Sequence, residues 1–311
     1  MSPIITRFAP SPSGDLHLGH AYSVWLIEQF VQGQRALGVT VSEPLLRWED
    51  IDHTRCSLES EQSIIEDLTW LGFSYNESQP VLRQSERLDV YAQALATLIK
   101  LDVVYPCFCT RKQIKEAIGK QEIDQILNAP QAGQATQPHY AGTCLKLSSK
   151  DRAELLASNE SYAWRFNSQK AQEILTEKDL YFDDLSLVEP TKVNWSLIHD
   201  DVLARKELQT SYHLAVIIDD DAQQVTHAIR GEDLRETTHL HRVLQQLLKL
   251  RTPSYIHHPL LYNEQGKRLS KRDKSTTIKQ LKTQYPTGEK LFEAQANNPQ
   301  WKPLEQIMRS K

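Results

Sequence analysis

The run RFAPSPSGDLHLGH, residues 7 to 20, constrains the fold more than any other stretch of the chain. The residues before it, Ile4, Ile5 and Thr6, read as a buried strand, and from Ala21 to about Leu37 apolar residues recur at helical spacing. Pro10, Pro12 and Gly14 keep the loop from continuing the strand, so the run is a strand-to-helix turn. His17, Leu18, Gly19 and His20 then fall at the start of the helix, where unpaired N–H groups and the positive end of the helix dipole attract an anion. Two imidazoles beside that end add donors for phosphate oxygens. The stretch suits a nucleotide, although an ordinary βα turn with incidental histidines has the same outline, and the rest of the chain must decide.

The pattern repeats. PLLRWED reads as a second buried strand ending in acids, followed by helical spacing from Ser57 to Leu71 and from Glu86 to Lys100. Such alternation predicts an α/β fold with a parallel sheet. From Val104 to Leu147 the pattern breaks into paired cysteines and the Gln/Ala/Gly/Pro-rich NAPQAGQATQPHY, which reads as an inserted module. Strand-like segments resume at YAWRFN and LYFDDLSLV. SYHLAVIIDDDAQQVTHAIRGEDL reads as an apolar strand, an acidic turn and a second strand leading into a helix from about Glu232 to Lys249. IHHPLLYNEQGKRLSKRDKSTTI then gives a strand, a turn at Asn263 to Gly266 and a basic loop. The expected division is 1–103 and 151–250 as parts of the main domain, 104–150 as the inserted module, and 251–311 as the basic-loop region and tail.

Composition sets limits on this reading. With 311 residues, 40% of them hydrophobic and 24% charged, the chain can bury a large core. No apolar run approaches bilayer length, and Arg7 and the prolines interrupt any signal-peptide core, so a cytoplasmic protein without membrane contact is expected. A monomer is expected as well. A formal charge of −4 gives no global sign of a nucleic-acid partner.

The basic loop Arg268-Leu269-Ser270-Lys271-Arg272 supplies what the first stretch lacks, a mobile cationic segment able to fold over a triphosphate. Paired with HLGH across an α/β domain, it resembles the HIGH and KMSKS signatures of the class I aminoacyl-tRNA synthetases. RFAPSPSGDLHLGH, LLRWEDID, YHLAVIIDD, IRGEDL and LLYNEQGKRLSK narrow the resemblance to the glutamyl subgroup, over about residues 4 to 275. The sequence departs from that subgroup at Trp48 and His53, which puts pocket shape in question.

The resemblance implies a Rossmann-like catalytic domain with an inserted zinc-binding module. It implies ATP, bound through His17, Gly19, His20, Leu269, Ser270 and Lys271, with His17, His20 and Lys271 catalytic and Mg²⁺ accompanying the nucleotide. It implies L-glutamate held by Arg7, Phe8, Ala9, Pro10, Ser11, Glu49, Tyr212 and Arg230. Glu49 suits the ammonium, and Arg230 offers the bidentate guanidinium that a side-chain carboxylate needs. The alternative is a structural Arg230–Asp233 ion pair beside a core tyrosine.

Cys107, Cys109 and Cys144, spaced C-x-C and Y-x-x-x-C, offer three thiolates to one structural zinc per chain, with Tyr140 the matching fourth ligand in the family and His139 its rival. An apo module with three free thiols is the alternative. Cys56 is placed on the helical segment after EDIDHTR as a buried or free thiol. Only 39 residues follow Arg272, too few for a helical anticodon-binding region. The chain is therefore expected to match the short paralogues that activate glutamate without tRNA and transfer it to the queuosine base of tRNA(Asp). A truncated enzyme charging the 3′ end of tRNA(Glu) and a catalytically silent paralogue remain open.

Overall fold

The computed structural model describes residues 3–117, 140, 142–158, 160–176, 179–205, 208–263, 265–269 and 276–308. Strands β1 (Arg7–Phe8), β2 (Leu45–Trp48) and β3 (Leu82–Arg83) form a parallel sheet in the order β1-β2-β3. Helix α1 (Leu18–Ala36) connects the first two strands and α2 (Leu58–Leu71) the next two. Each helix buries an apolar stripe, Ala21, Val24, Ile27 and Val31 on α1 and Ile64, Leu68 and Leu71 on α2. Helix α3 (Leu88–Lys100) leads into β4 (Val104–Cys107).

β4 pairs antiparallel with β5 (Ala163–Phe166), which pairs antiparallel with β8 (Val202–Arg205). Helices α4 (Arg111–Ala117), α5 (Ser149–Ala157) and α6 (Ser168–Leu175) and the small hairpin of β6 (Tyr181–Phe182) and β7 (Thr191–Lys192) lie along the chain between β4 and β8. The antiparallel sheet that starts in the cysteine-bearing segment thus runs on to Arg205.

The parallel architecture then returns. Helix α7 (Tyr212–Ala222) is followed by β9 (His227–Gly231), α8 (Thr237–Leu248) and β10 (Ser254–His258), with β9 and β10 parallel. The segment before β1 stitches the halves together: the backbone N–H groups of Thr226 and His227 donate to the Ile5 carbonyl at 2.9 and 3.1 Å. Beside β1 the chain therefore meets β2 on one side and the start of β9 on the other. In a doubly wound sheet, ligands bind outside the carboxyl ends of the strands at such a switch point. The segments leaving β1 and β2 there carry Pro10–Ser11 and Glu49, and the last residues of β9 and β10 are Arg230–Gly231 and His257–His258.

One expectation changes. The apolar run LAVII forms α7, a helix with Leu214 to Asp220 all buried, rather than a strand. An element enclosed on every side loses the alternation that distinguishes the two conformations. The tail is also part of the core: α9 (Ile278–Leu281), α10 (Gly288–Gln295) and α11 (Leu304–Ile307) pack with α1 and α2, burying Trp301 against Tyr22 and Trp25. At Gly288 an added Cβ would lie 2.4 Å from the Leu71 Cα, so α10 reaches α2 only because that side chain is missing.

Candidate active site

His17 is the N-cap of α1, and the two histidines cap each other's turn. His17 Nδ1 accepts from the Gly19 N–H at 3.0 Å, and His20 Nδ1 accepts from the His17 N–H at 3.1 Å. An imidazole nitrogen that accepts carries no proton, so both rings are held as the tautomer with N–H at Nε2. Gly19 is required by the same geometry, since an added Cβ would sit 2.9 Å from the His17 ring. The helix start thus presents two oriented imidazole donors beside its own N–H groups.

The basic loop is anchored on both sides at this point. The Leu269 N–H bonds the Leu261 carbonyl at 2.9 Å and Leu269 packs on the core around α1. The Leu18 N–H bonds the Thr276 carbonyl at 3.3 Å, the Ile278 N–H bonds the Leu16 carbonyl at 2.9 Å, and Thr277 bridges His17. Ser270 and Lys271 lie outside the described residues, as does His139.

A cavity of about 900 Å³ opens at the switch point and extends to the antiparallel sheet. Ser11, Glu49 and Tyr212 line one end, Arg111, Tyr140 and Arg165 another. Burial raises the Glu49 carboxyl above its ordinary value, against the lowering charges of Arg47 and Arg7. Burial pushes the Tyr212 hydroxyl up to about 12, with Arg230 pulling it down and Glu49 pushing it up.

Arg7 and Arg230 do not line the cavity but are buried close to Tyr212, and their surroundings differ. Arg7 spends its charge on Asp220, at 3.1 and 3.4 Å, and Arg47 reaches the same carboxylate at 2.8 Å. Burial raises Asp220, but the two guanidiniums outweigh it and hold the carboxyl below the usual range. Arg230 is 6% exposed and makes no ion pair among the described residues. Its Nε donates to His257 Nε2 at 3.2 Å, one terminal nitrogen to Thr238 Oγ1 at 2.6 Å and the other to His241 Nδ1 at 3.3 Å. The Tyr255 ring lies under it, 4.6 Å from centroid to Cζ. The Arg230–Asp233 pair does not form, because Asp233 binds Arg268 at 2.7 Å. Of the other expected residues, Phe8 is buried against Phe73, and the Pro10 carbonyl accepts the Glu49 N–H at 3.1 Å, which places Ala9 and Pro10 beside the acid. Trp48 is buried in the core and His53 is exposed; neither lines the cavity.

The sulfurs of Cys107, Cys109 and Cys144 lie within 4.8 Å of one another, and the Tyr140 hydroxyl is 3.4 Å from the Cys109 Sγ. Thiolates around a tetrahedral zinc stand about 3.8 Å apart, so the cluster fits such an ion. Burial drives the Cys109 thiol up to about 11, and burial with the neighbouring thiols raises the Tyr140 hydroxyl. Three thiols and a phenol in contact cannot all ionise without a cation between them, and the soft donor set suits zinc. Cys56 precedes α2 rather than lying on it, with its Sγ 3.9 Å from the Ser11 Oγ.

Sequence reasoning missed the residues that hold Arg230: Thr238, His241, His257 and, behind them, Asp184. The histidine pairs of THLHR and IHHP are the signal that marks the first three; Asp184 has none.

The family described as tRNA synthetases class I (E and Q), catalytic domain, matches residues 3–296. The chain belongs to this class I synthetase family. It is 39% identical over 293 residues to the glutamyl-Q tRNA(Asp) synthetase of Rhodobacter capsulatus, covering 90% of this chain and 95% of that one. It is 34% identical to the glutamate–tRNA ligase of Cellvibrio japonicus, spanning 89% of this chain and about half, 52%, of the ligase. The glutamate–tRNA synthetase of Elizabethkingia anophelis shares its fold, with a TM-score of 0.69 at 24% identity over all of this chain and 66% of that one. The expected Rossmann-like class I catalytic domain is thus the fold of this chain. Among the described residues, no helix of this chain is long and apolar enough to cross a membrane.

Proposed function

We propose that the chain activates L-glutamate with ATP, without needing RNA for that step, and transfers it to the queuosine base in the anticodon loop of tRNA(Asp). The observation that carries the glutamate reading is the contrast between Glu49 and Arg230. One is a half-buried carboxylate lining the cavity, with Arg47 3.4 Å away on its inner side, that suits an ammonium; the other is a buried guanidinium whose charge no carboxylate among the described residues matches. A ligand with one ammonium and two carboxylates answers both. Glutamine would leave the Arg230 charge unpaired, which disfavours it strongly.

In activation, an α-carboxylate oxygen of glutamate attacks the α-phosphorus of ATP, and the bond to the β-phosphate breaks to release pyrophosphate. Little covalent help is needed, so charge stabilisation dominates. The Nε2–H groups of His17 and His20, with Gly19 letting the turn close, hold the phosphates. Leu269 and Ser270 carry Lys271 to the departing pyrophosphate. Arg7, Phe8, Ala9, Pro10, Ser11, Glu49, Tyr212 and Arg230 form the glutamate site, with Arg7 paired to Asp220 behind it. Mg²⁺ bound with ATP supplies further neutralisation of the phosphate oxygens. Cys107, Cys109 and Cys144, with Tyr140 as the fourth donor, hold a structural zinc.

The queuosine acceptor is supported by the named relative that matches this chain over nearly its full length. A hydroxyl of the cyclopentene diol attacks the carbonyl carbon of glutamyl-adenylate, and AMP leaves. Labelled glutamate offered with tRNA(Asp) with and without queuosine tests the assignment. Label is expected only on the queuosine-bearing tRNA. Equal labelling without queuosine, or labelling of tRNA(Glu) alone, would replace this reading with 3′-end charging.

A further inference from the structure

Arg230 is held by neutral groups, and the hydrogen bonds determine the protonation of each. Guanidinium nitrogens only donate, so His257 Nε2 and His241 Nδ1 must both accept. His257 Nδ1 lies 2.8 Å from Asp184 Oδ2, and a carboxylate only accepts, so that nitrogen carries the proton. Asp184 therefore fixes His257 as the Nδ1–H tautomer, which in turn turns a lone pair toward Arg230. Asp184 has no exposed side-chain surface, and it is held by Ser186 Oγ and by Arg235, whose Nη1 lies 2.5 Å from Oδ2. Its charge is thus matched by Arg235 at one remove from Arg230.

A carboxylate placed directly on Arg230 would fix the side chain equally well but would neutralise it. An imidazole lone pair fixes the fork and leaves its charge for a ligand. We propose that Asp184 and His257 are positioning residues for Arg230, orienting its guanidinium for the side-chain carboxylate of the substrate without compensating its charge. This rests on the glutamate reading above. Thr238 closes the same arrangement, accepting from Arg230 at 2.6 Å while its own oxygen lies 2.9 Å from the Leu234 carbonyl and 3.2 Å from His257 Nε2. Arg230 lies behind the cavity-lining Tyr212, whose hydroxyl feels its charge, and Asp184 and His257 lie behind Arg230 in turn, so both act through the arginine.

The test is ATP–pyrophosphate exchange by the full chain, with glutamate and ATP varied separately, for wild type, His257→Leu and His257→Gln. The leucine variant is expected to raise KM for glutamate about tenfold or more with KM for ATP unchanged, as misorientation of a binding group should. Glutamine can donate to Asp184 and accept from Arg230, and is expected to recover most of the loss. An unchanged KM for glutamate in the leucine variant, or a glutamine variant as impaired as leucine, would overturn the proposal while leaving the glutamate reading intact. Wild-type exchange indifferent to glutamate would remove both. Nitrogen NMR of the wild-type His257 ring gives a readout independent of any variant: a single Nδ1–H tautomer is expected, and an Nε2–H tautomer would contradict the assignment.

Discussion

The histidines that open α1 and the arginine near the end of β9 are both proposed to meet anions, yet they are held in opposite ways. His17 and His20 orient each other within four residues, through the backbone N–H groups of Gly19 and His17. Arg230 is oriented from α8 through Thr238 and His241, from β10 through His257, and through His257 from Asp184. The first arrangement is local and comes with the helix start; the second exists only after three separated segments have packed. Damage to the first should strike the chemical step, and damage to the second should strike the choice of amino acid.

The largest expected effect is on rate. His20→Ala removes the proposed phosphate donor together with a cap and is expected to lower the exchange rate about a hundredfold or more, with KM for glutamate nearly unchanged. A rise in KM for glutamate alone would erase the contrast between the two regions. Next comes Arg230→Lys, which keeps the charge but loses the planar fork. It should lower kcat/KM for glutamate by about tenfold to a hundredfold and narrow the preference over glutamine, read by exchange with each amino acid. Lysine performing as well as arginine would show that bare charge suffices.

Away from the active site, Cys144→Ser is expected to reduce bound zinc from about one ion per chain to near none and to lower Tm, whereas Cys56→Ser should leave both unchanged. Metal analysis with thermal unfolding distinguishes these. The smallest effect is on pH dependence. Burial lowers His257 from 6.5 to about 4, and burial with the Arg230 charge lowers His241 well below its ordinary value. The unfolded chain takes up a proton at His257 below pH 6.5 that the folded chain refuses until about pH 4, and His241 acts in the same direction, so stability falls across that window on acidification. Tm measured from pH 7 downward should therefore decline, and His257→Gln should flatten the slope. An equal slope in the variant would mean that other groups dominate.

The local arrangement was legible in the sequence and the distributed one was not. Two prolines, a glycine and H-x-G-H fix a strand-to-helix turn by backbone chemistry alone, and the helix starts within three residues of the place that spacing indicates. The cysteines gave their cluster through spacing in the same way. Leu214 to Ile218 misled because burial on all sides erases periodicity. Arg230 was singled out for a ligand only through resemblance, and Asp233, its expected partner in the alternative, pairs instead with Arg268. Asp184 lies 73 positions from the histidine it fixes, and no local pattern encodes that pairing.

Pyrophosphate exchange measured without RNA, with glutamate and glutamine compared at equal concentration, tests most directly whether an uncompensated Arg230 defines the amino acid. Exchange is expected with glutamate and no tRNA present, and to be lower with glutamine by about a hundredfold or more. Exchange that starts only when tRNA is added, or that proceeds equally with glutamine, would contradict it.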